Sequence, residues 1–522
     1  LKSPLQGGAK GKEEKKMKTG AIFILSLTAI LTLTAGGAFG KYSGGSGTAG
    51  DPYQIATKAD LLALANNTGD YGNCFILTAD INMGGQVFTM AIIAFGPPFT
   101  GTFDGNDHKI NNFTINGGGG SYIGLFGINS GSVKNLSLEN CSVSGAYYVG
   151  GLVGLNYSNI SNCYSTGMVS GSYCVGELVG YNYGGNIRNC YSTGTVNGSS
   201  GSEYVGGLVG WNEGSISDCN STGTVIGTTT GGDYSSNLGG LVGINDGSIS
   251  NCYSTGAVNG GSYYQCVGGL SGSNKGNISN CYSTGTVSGS SGSTNVGGLV
   301  GWNYSNISNC YSTGAVSGDV DGVGGLVGIN TGSISNCYST GAVSVSPSSV
   351  SSVVGGLVGW NYSSISNCYS TGSVKGVYVV GGLVGQNNSG TISSSFWDKQ
   401  TSGKTTSMGG TGMTTAQMKT LSTFTSAGWD FTNETANGTS DYWRMCVNGV
   451  NYPQLNWGYA QYGDFACPDG VGMEDFTYFV QRWLESDCTS SNNDCGGTDM
   501  DASGTVDFKD FAIFAENWLS GE

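Results

Sequence analysis

The stretch VGGLVGWNYSNISNCYSTGAVSG, Val296 to Gly318, contains no charged side chain and one cysteine. It holds three short β-forming runs, Leu299–Trp302, Asn306–Tyr311 and Gly314–Ser317. Gly, Asn and Ser-Thr-Gly punctuate them, the residue types that tight turns require. Close copies recur along the chain. The last glycine of the GLVG-type core falls at Gly127, Gly154, Gly180, Gly210, Gly243, Gly272, Gly301, Gly328, Gly359 and Gly385, at intervals of 26 to 33 residues. A fixed period of this size marks a solenoid, whose units bury their apolar faces only by stacking.

Which solenoid follows by elimination. Helical repeats conflict with the glycine load, because each interior glycine costs a helix about 1 kcal/mol. A leucine-rich repeat needs an L-x-x-L-x-L run, and a calcium β-roll needs a recurring Asp; neither is present. Three short strands per unit predict a mainly β fold, a right-handed parallel β-helix of ten or more coils. With coils about 4.8 Å apart, ten make a rod of roughly 50 Å. Insertions between the third strand and the next VGG, as at Gly198–Tyr204 and Thr228–Ser236, are expected along one edge.

Composition agrees with this reading. Glycine is 95 of 522 residues, 10% are charged and 38% are hydrophobic, so the chain is neither an ordinary enzyme-like sequence nor a disordered linker. Met17 reads as the start of an export signal. Lys15, Lys16 and Lys18 form its basic region, Ala21 to Leu33 its apolar run and Ala38-Phe39-Gly40 its cleavage site. The organisation expected is a signal over 1–40, an N-terminal β-helix cap over 41–120, repeats over 121–395, a C-terminal cap over 396–460 and a separate module over 461–522. The chain from Lys41 is expected to be extracellular or surface-held, without a membrane span. Residues 1–40 hold six Lys and two Glu, so the formal charge of −15 becomes −19 beyond them. That argues against nucleic acid and anionic membranes as partners.

Aligning the units puts Cys141, Cys163, Cys190, Cys219, Cys252, Cys281, Cys310, Cys337 and Cys368 in one column. Tyrosine follows at 164, 191, 253, 282, 311, 338 and 369, and Asn220 interrupts it. Neighbouring coils lie within the span of a disulfide, but in-register side chains point the same way. Buried free thiols are therefore the favoured reading. Tyr181, Trp211, Trp302 and Trp360 follow GLVG in their units and form a second row, either packing or sugar-stacking.

The repeat resembles the GLUG motif of secreted and surface-attached bacterial proteins, among them adhesins and parts of IgA-specific metallopeptidases. The resemblance runs from about Lys41 to Trp457. It includes YSGGSGTAGDPYQIATKADLLALA, FILTADINM and FTGTFDGNDHKINNFTI before the repeats, and FWDKQTSGKTTSMGGTG followed by GWDF, DYW and YPQLNW after them. It implies a β-helical surface or secreted protein and names no ligand.

Beyond Trp457 the composition changes. Residues 461–522 hold 13 acids and two bases. GDFACPDGVGMEDFTYFVQRWL and TDMDASGTVDFKDFAIFAENWL align 35 residues apart. Each ends in a predicted amphipathic helix, with Phe476, Phe479, Val480, Trp483 and Leu484 on one face, and Phe511, Phe514, Ala515, Trp518 and Leu519 on the other. In the second copy Asp499, Asp501, Ser503, Asp507 and Asp510 take calcium-loop positions 1, 3, 5, 9 and 12, with Gly504 at the sharp turn and the Thr505 carbonyl at position 7. The first copy keeps Asp464 and Asp475 as a weak second site, with Asp469 and Glu474 nearby. This tandem resembles a type I dockerin, which implies Ca²⁺-dependent folding and docking to a cohesin-like protein. Cys446, Cys467, Cys488 and Cys495 are disulfide candidates whose pairing the sequence leaves open.

A catalytic site is not apparent. His108 is the single histidine, so a His-Glu-x-x-His metal site is excluded. Asp104, Asp107 and His108 read as a hydrogen-bonded turn. The acids of the coils, such as Glu177, Glu203, Asp218, Asp233, Asp246, Asp319 and Asp321, are scattered without a recurring pair. Two readings follow. The favoured one is a non-catalytic, adhesin-like scaffold binding glycan or protein and attached through the calcium module. The alternative is a polysaccharide-degrading glycoside hydrolase or lyase carried by a dockerin.

Overall fold

The computed structural model describes residues 41–228, 235–290, 292–319, 321–347, 351–432, 434–457, 472–489, 495, 498–501, 503–516 and 518. The expected signal over 1–40, Asp233, Asp464, Cys467, Asp469 and Leu519 lie outside them.

The repeats form a parallel β-solenoid. The coil of the quoted stretch comprises strands Asn295–Gly297, Val300–Asn303, Ile307–Ser312 and Val316–Gly318. Each pairs in parallel with its counterpart in the next coil, as Val300 with Val327 and Ile307 with Ile334. The coil thus has four strands, where three were expected. The extra strand is the VGG segment, whose Val296 and Gly297 pair with Val323 and Gly324. Glycine normally weakens a strand, which disguises it in the sequence. Here a Cβ on Gly297 would lie 2.0 Å from the Val300 carbonyl oxygen, so the corner between the two strands admits only glycine.

The insertion at 198–204 also departs from expectation. It lies within one long strand, Thr195–Gly206. Gly198 pairs with Gly171 and Glu203 with Tyr173, so the extra residues are absorbed in a register shift rather than a separate loop.

Leucine, isoleucine and valine columns fill the interior. Leu299, Ile307, Val296 and Val300 are all 0% exposed, each worth roughly 1.5–3 kcal/mol of burial. The corner before each cysteine of the column is made by a left-handed residue, Asn in all coils but one, such as Asn309 at φ 53° and Asn336 at φ 50°, with Asp218 at φ 55° before Cys219. Asn tolerates that conformation at low cost.

Both ends of the solenoid are covered. Helix Lys58–Ala65 begins with a capping box between Thr57 and Asp60. At the other end, residues after Phe396 fold back over the tyrosine column. Trp429 and Trp443 are fully buried with ring centres 4.4 Å apart, and Trp443 lies 6.0 Å from Tyr369 and 6.2 Å from Tyr338. Tyr369 donates its hydroxyl to the Pro453 carbonyl at 2.5 Å.

The C-terminal module contains helices Met473–Gln481 and Phe508–Glu516. Phe479 stacks on Phe514 at 5.2 Å, beside Val506 and the Cys488–Cys495 disulfide. Cys446 is also disulfide-bonded. The predicted apolar faces meet only in part: Val480 is 50% and Leu484 72% exposed. The first helix stops at Gln481, and Leu484 turns to a left-handed φ of 65°. Its N–H then bonds the Val506 carbonyl at 3.0 Å, so backbone pairing overrides the helical periodicity.

Candidate functional site

Three columns of like residues dominate the coils, and the structure separates scaffold from surface. The first is a column of asparagines, which the sequence reading passed over. Asn129, Asn156, Asn182, Asn212, Asn245, Asn274, Asn303, Asn330, Asn361 and Asn387 follow the GLVG-type core in successive coils. Each donates from Nδ2 to Oδ1 of the next, at 2.7–2.9 Å. The first nine are 0% exposed. The signal was available as a repeated Asn two residues after the glycine, but Asn reads as a turn former before the register is known.

The second is the cysteine column. Its nine members are free thiols and buried, as the sequence reading favoured. The Cys219 N–H donates to Cys252 Sγ at 3.4 Å, while Cys252 S–H donates to the Ser250 carbonyl at 3.0 Å. The thiol therefore both accepts and donates, which an alanine could not do. Burial pushes the Cys141 thiol up to about 12 and raises those of Cys163, Cys219, Cys252, Cys310 and Cys368. At Cys190, Cys281 and Cys337 burial is outweighed by hydrogen bonds with neighbouring thiols, which lower them. Burial of the whole column is what shields it from reagents.

The third column, the tyrosines, is a π-stack. Tyr253, Tyr282, Tyr311, Tyr338 and Tyr369 lie 4.8–5.0 Å apart with ring planes within 1–7°. Their faces are occupied by one another, and the C-terminal cap lies against the column.

A different aromatic surface lies on the first coils. Tyr122 stacks on Tyr148 at 5.3 Å, Tyr148 on Tyr181 at 5.6 Å and Tyr181 on Trp211 at 4.7 Å. These four are half-buried. Around them stand Tyr147, Tyr157 and Tyr183, exposed at 49%, 46% and 50%. Tyr183 meets Tyr181 at 78° and Tyr157 at 69°, and Tyr147 tilts 50° from Tyr173. Tyr173 and Tyr204 complete a patch of nine connected rings. Small residues make room for it: Cys174 stands in the column of Tyr148 and Tyr204 and is fully buried. Glu203 takes the register position next to Tyr173, and Asp246 accepts from Trp211 Nε1 at 2.9 Å while pairing with Lys275. Burial, then the neighbouring Glu213 carboxylate, raises the Tyr181 phenol, so it stays neutral.

Of the row expected from sequence, Tyr181 and Trp211 enter this patch. Trp302 and Trp360 do not: each lies under the tyrosine two residues on, Tyr304 at 4.7 Å and Tyr362 at 6.2 Å.

His108 is a turn residue. Its N–H bonds the Gly105 carbonyl, and Nδ1 lies 3.0 Å from Asp80 Oδ1. Asp104 is instead held by Asn106 N–H, Asn135 and Lys134, which keep its carboxyl below the usual range against the effect of burial. Glu177 occupies a glycine position of the repeat and is 0% exposed. Neither of its carboxyl oxygens completes a well-formed hydrogen bond; burial pushes it up to about 8, against the weaker pull of Ser165 and the Gly194 and Gly167 backbone.

In the C-terminal loop, carboxyl oxygens of Asp499, Asp501 and Asp510 lie within 4.8 Å of one another. Asp499 and Asp510 are buried and Asp501 is exposed. Gly504, at φ 91°, donates its N–H to Asp499 at 2.8 Å, and Met500 and Asp501 N–H groups point at Asp510. Ser503 donates to the Thr505 carbonyl at 3.1 Å, and Asp507 accepts from the Lys509 N–H. Asp475 is buried and accepts from Gly472 N–H, capping its helix.

The fold defines a β-solenoid repeat protein, and comparison supplies its motif. The family described as "The GLUG motif" matches eight segments, 145–170, 171–197, 201–226, 234–259, 263–288, 292–317, 321–345 and 351–375. The coils around Gly127 and Gly385 fall outside these matches, as terminal repeats commonly diverge. Halomucin of Haloquadratum walsbyi is 33% identical over 138 residues, 24% of this chain and 2% of halomucin. A protein of Evansella cellulosilytica described as a Gly-rich membrane protein is 38% identical over 136 residues, 23% of this chain and 15% of that protein. The chain thus spans only a small part of the relatives it matches. A Bacteroides ovatus crystal structure described as an immunoglobulin A1 protease aligns over 81% of this chain and 97% of its own, at 22% identity and a TM-score of 0.30. Among the described residues no helix is long and apolar enough to cross a membrane.

Proposed function

We propose that the chain is a secreted or surface-held, non-catalytic scaffold of adhesin-like character. The solenoid presents a binding face to glycan or protein ligands, and the C-terminal module attaches it to a partner. The observation that carries this reading is the nine-ring aromatic patch on a sparsely charged rod. A patch with three rings about half exposed is unusual on a surface that has no contact to make. The halomucin and membrane-protein likenesses support placement outside the cytoplasm. The histidine and the carboxylates near it are engaged in turns and ion pairs, which supports a non-catalytic role.

The acidic loop is read as a Ca²⁺ site. Asp499, Asp501, Ser503, Thr505, Asp507 and Asp510 supply only oxygen, the donor a hard cation takes. Three carboxylates converge there, and none of the ion pairs among the described residues neutralises them. Calcium would offset that repulsion and order the module for docking to a cohesin-like protein. Asp475 belongs to the weaker second site.

The test is co-sedimentation of the chain from Lys41 with insoluble polysaccharides, with the supernatant assayed for reducing ends. Binding without release is the expected result. Release of sugar would replace this reading with that of a polysaccharide-degrading enzyme. Neither binding nor release would leave glycan out and point to a protein ligand.

A further inference from the structure

The aromatic patch has a chemistry that narrows its ligand, and this narrowing rests on the reading above. Aromatic rings recognise sugars through their faces, where the electron-rich π system meets the C–H side of a pyranose. A ring stacked in parallel on both sides has no face to give. That removes the tyrosine column, whose planes lie within 1–7° of each other. Trp302 and Trp360 each meet a single tyrosine, Tyr304 and Tyr362, at 16° and 14°, and these isolated pairs lack the run of adjacent rings that an extended chain would follow. Tyr147, Tyr157 and Tyr183 differ: they are about half exposed and set at 50–78° to the rings they touch. Tyr157 and Tyr183 sit one coil apart, since Asn156 pairs with Asn182. A coil step of about 4.8 Å is close to the length of one sugar in an extended glycan.

Charge then selects among glycans. Among the described residues, Glu203, Glu213 and Asp246 border the patch, and Lys275 is paired with Asp246. Carboxylates accept hydrogen bonds from sugar hydroxyls, whereas they repel uronate or sulfate groups. The stacked floor of Tyr148, Tyr181 and Trp211 holds its rings in place, so little ordering entropy is lost on binding.

We propose that coils one to four bind a neutral, extended glycan chain laid along the solenoid axis. The rings of Tyr147, Tyr157 and Tyr183 contact sugar faces, and the Glu203 and Glu213 carboxylates accept sugar hydroxyls.

The test is calorimetric titration of the chain from Lys41 with neutral hexasaccharides of β-linked glucose, mannose, xylose and galactose, and with a hexasaccharide of galacturonic acid. At least one neutral chain should bind, and the galacturonate at least about tenfold more weakly. The triple variant Tyr147→Ala/Tyr157→Ala/Tyr183→Ala should weaken neutral binding at least about tenfold, the size of one good ring contact. These side chains are exposed, so circular dichroism and the melting curve should match wild type. The variant Tyr304→Ala/Tyr362→Ala should bind as wild type does. Unchanged binding by the triple variant, equal binding of galacturonate, or no binding by any neutral chain would overturn the proposal. If co-sedimentation with an insoluble polysaccharide persists in the triple variant, the scaffold reading stands and this site falls. If sugar is released, the scaffold reading falls whatever the site does.

Discussion

Glu177 offers a quantitative test of how the solenoid is held together. In other coils the same position is glycine, as at Gly151, Gly207, Gly240 and Gly269. There the glycine leaves room for a buried serine of the neighbouring strand: a Cβ on Gly207 would lie 2.2 Å from Ser221 Oγ. At 177 a carboxyl fills the space, and neither oxygen completes a well-formed hydrogen bond to the polar groups around it. Burial raises it from 4.5 to about 8, opposed in part by Ser165 and the Gly167 and Gly194 backbone. Because the folded state favours the protonated form, stability is fully present below pH 4.5 and is lost as pH rises through about 8. At about 1.4 kcal/mol per unit, the loss is about 3 kcal/mol at pH 7 and approaches about 5 kcal/mol above pH 8. Glu177→Gln removes the titration while keeping the shape. Glu177→Gly restores the repeat, gaining about 3 kcal/mol at pH 7 less about 1 kcal/mol for the glycine's own entropy. The assay is urea unfolding followed by circular dichroism from pH 5 to 8. Wild type should lose about 4 kcal/mol over that range relative to Glu177→Gln. Equal pH dependence in the two proteins would refute a buried, proton-holding Glu177.

Three further outcomes are expected. Asn274→Ala removes one bond to Asn303 and one from Asn245, leaving buried amides without partners, and should cost about 2–4 kcal/mol in thermal unfolding; a loss below about 1 kcal/mol would show that the ladder is not structural. Thiol labelling of the native chain, mapped by mass spectrometry, should modify Cys74 and spare the eleven buried free cysteines; fast labelling of the 163–368 column would contradict its burial. Calcium titration of the full chain should show binding that Asp510→Ala or Asp501→Ala abolishes, with chelation lowering the module's helical signal; unaltered binding in both variants would remove the loop as the site.

The sequence by itself determined the solenoid, because the period is a one-dimensional property. Ten glycine cores at intervals of 26 to 33 residues allow little but stacked coils. The cysteine column was legible for the same reason: in-register stacking carries a repeated residue into a repeated place, and parallel neighbours do not turn their thiols together. The convergence of Asp499, Asp501 and Asp510 was legible because residues so close in sequence are held together by one local turn. What the sequence could not determine was which faces stay open. The VGG strand was hidden because its glycines serve a corner whose crowding exists only between coils. The asparagine ladder was hidden because its hydrogen bonds join residues 26 to 33 positions apart. The tyrosine column and the Trp302 and Trp360 positions resemble Tyr183 in the sequence, yet only ring orientation separates a stacked face from one that can take a ligand. That orientation is set by packing between coils and by the C-terminal cap returning onto the rod, and both are tertiary.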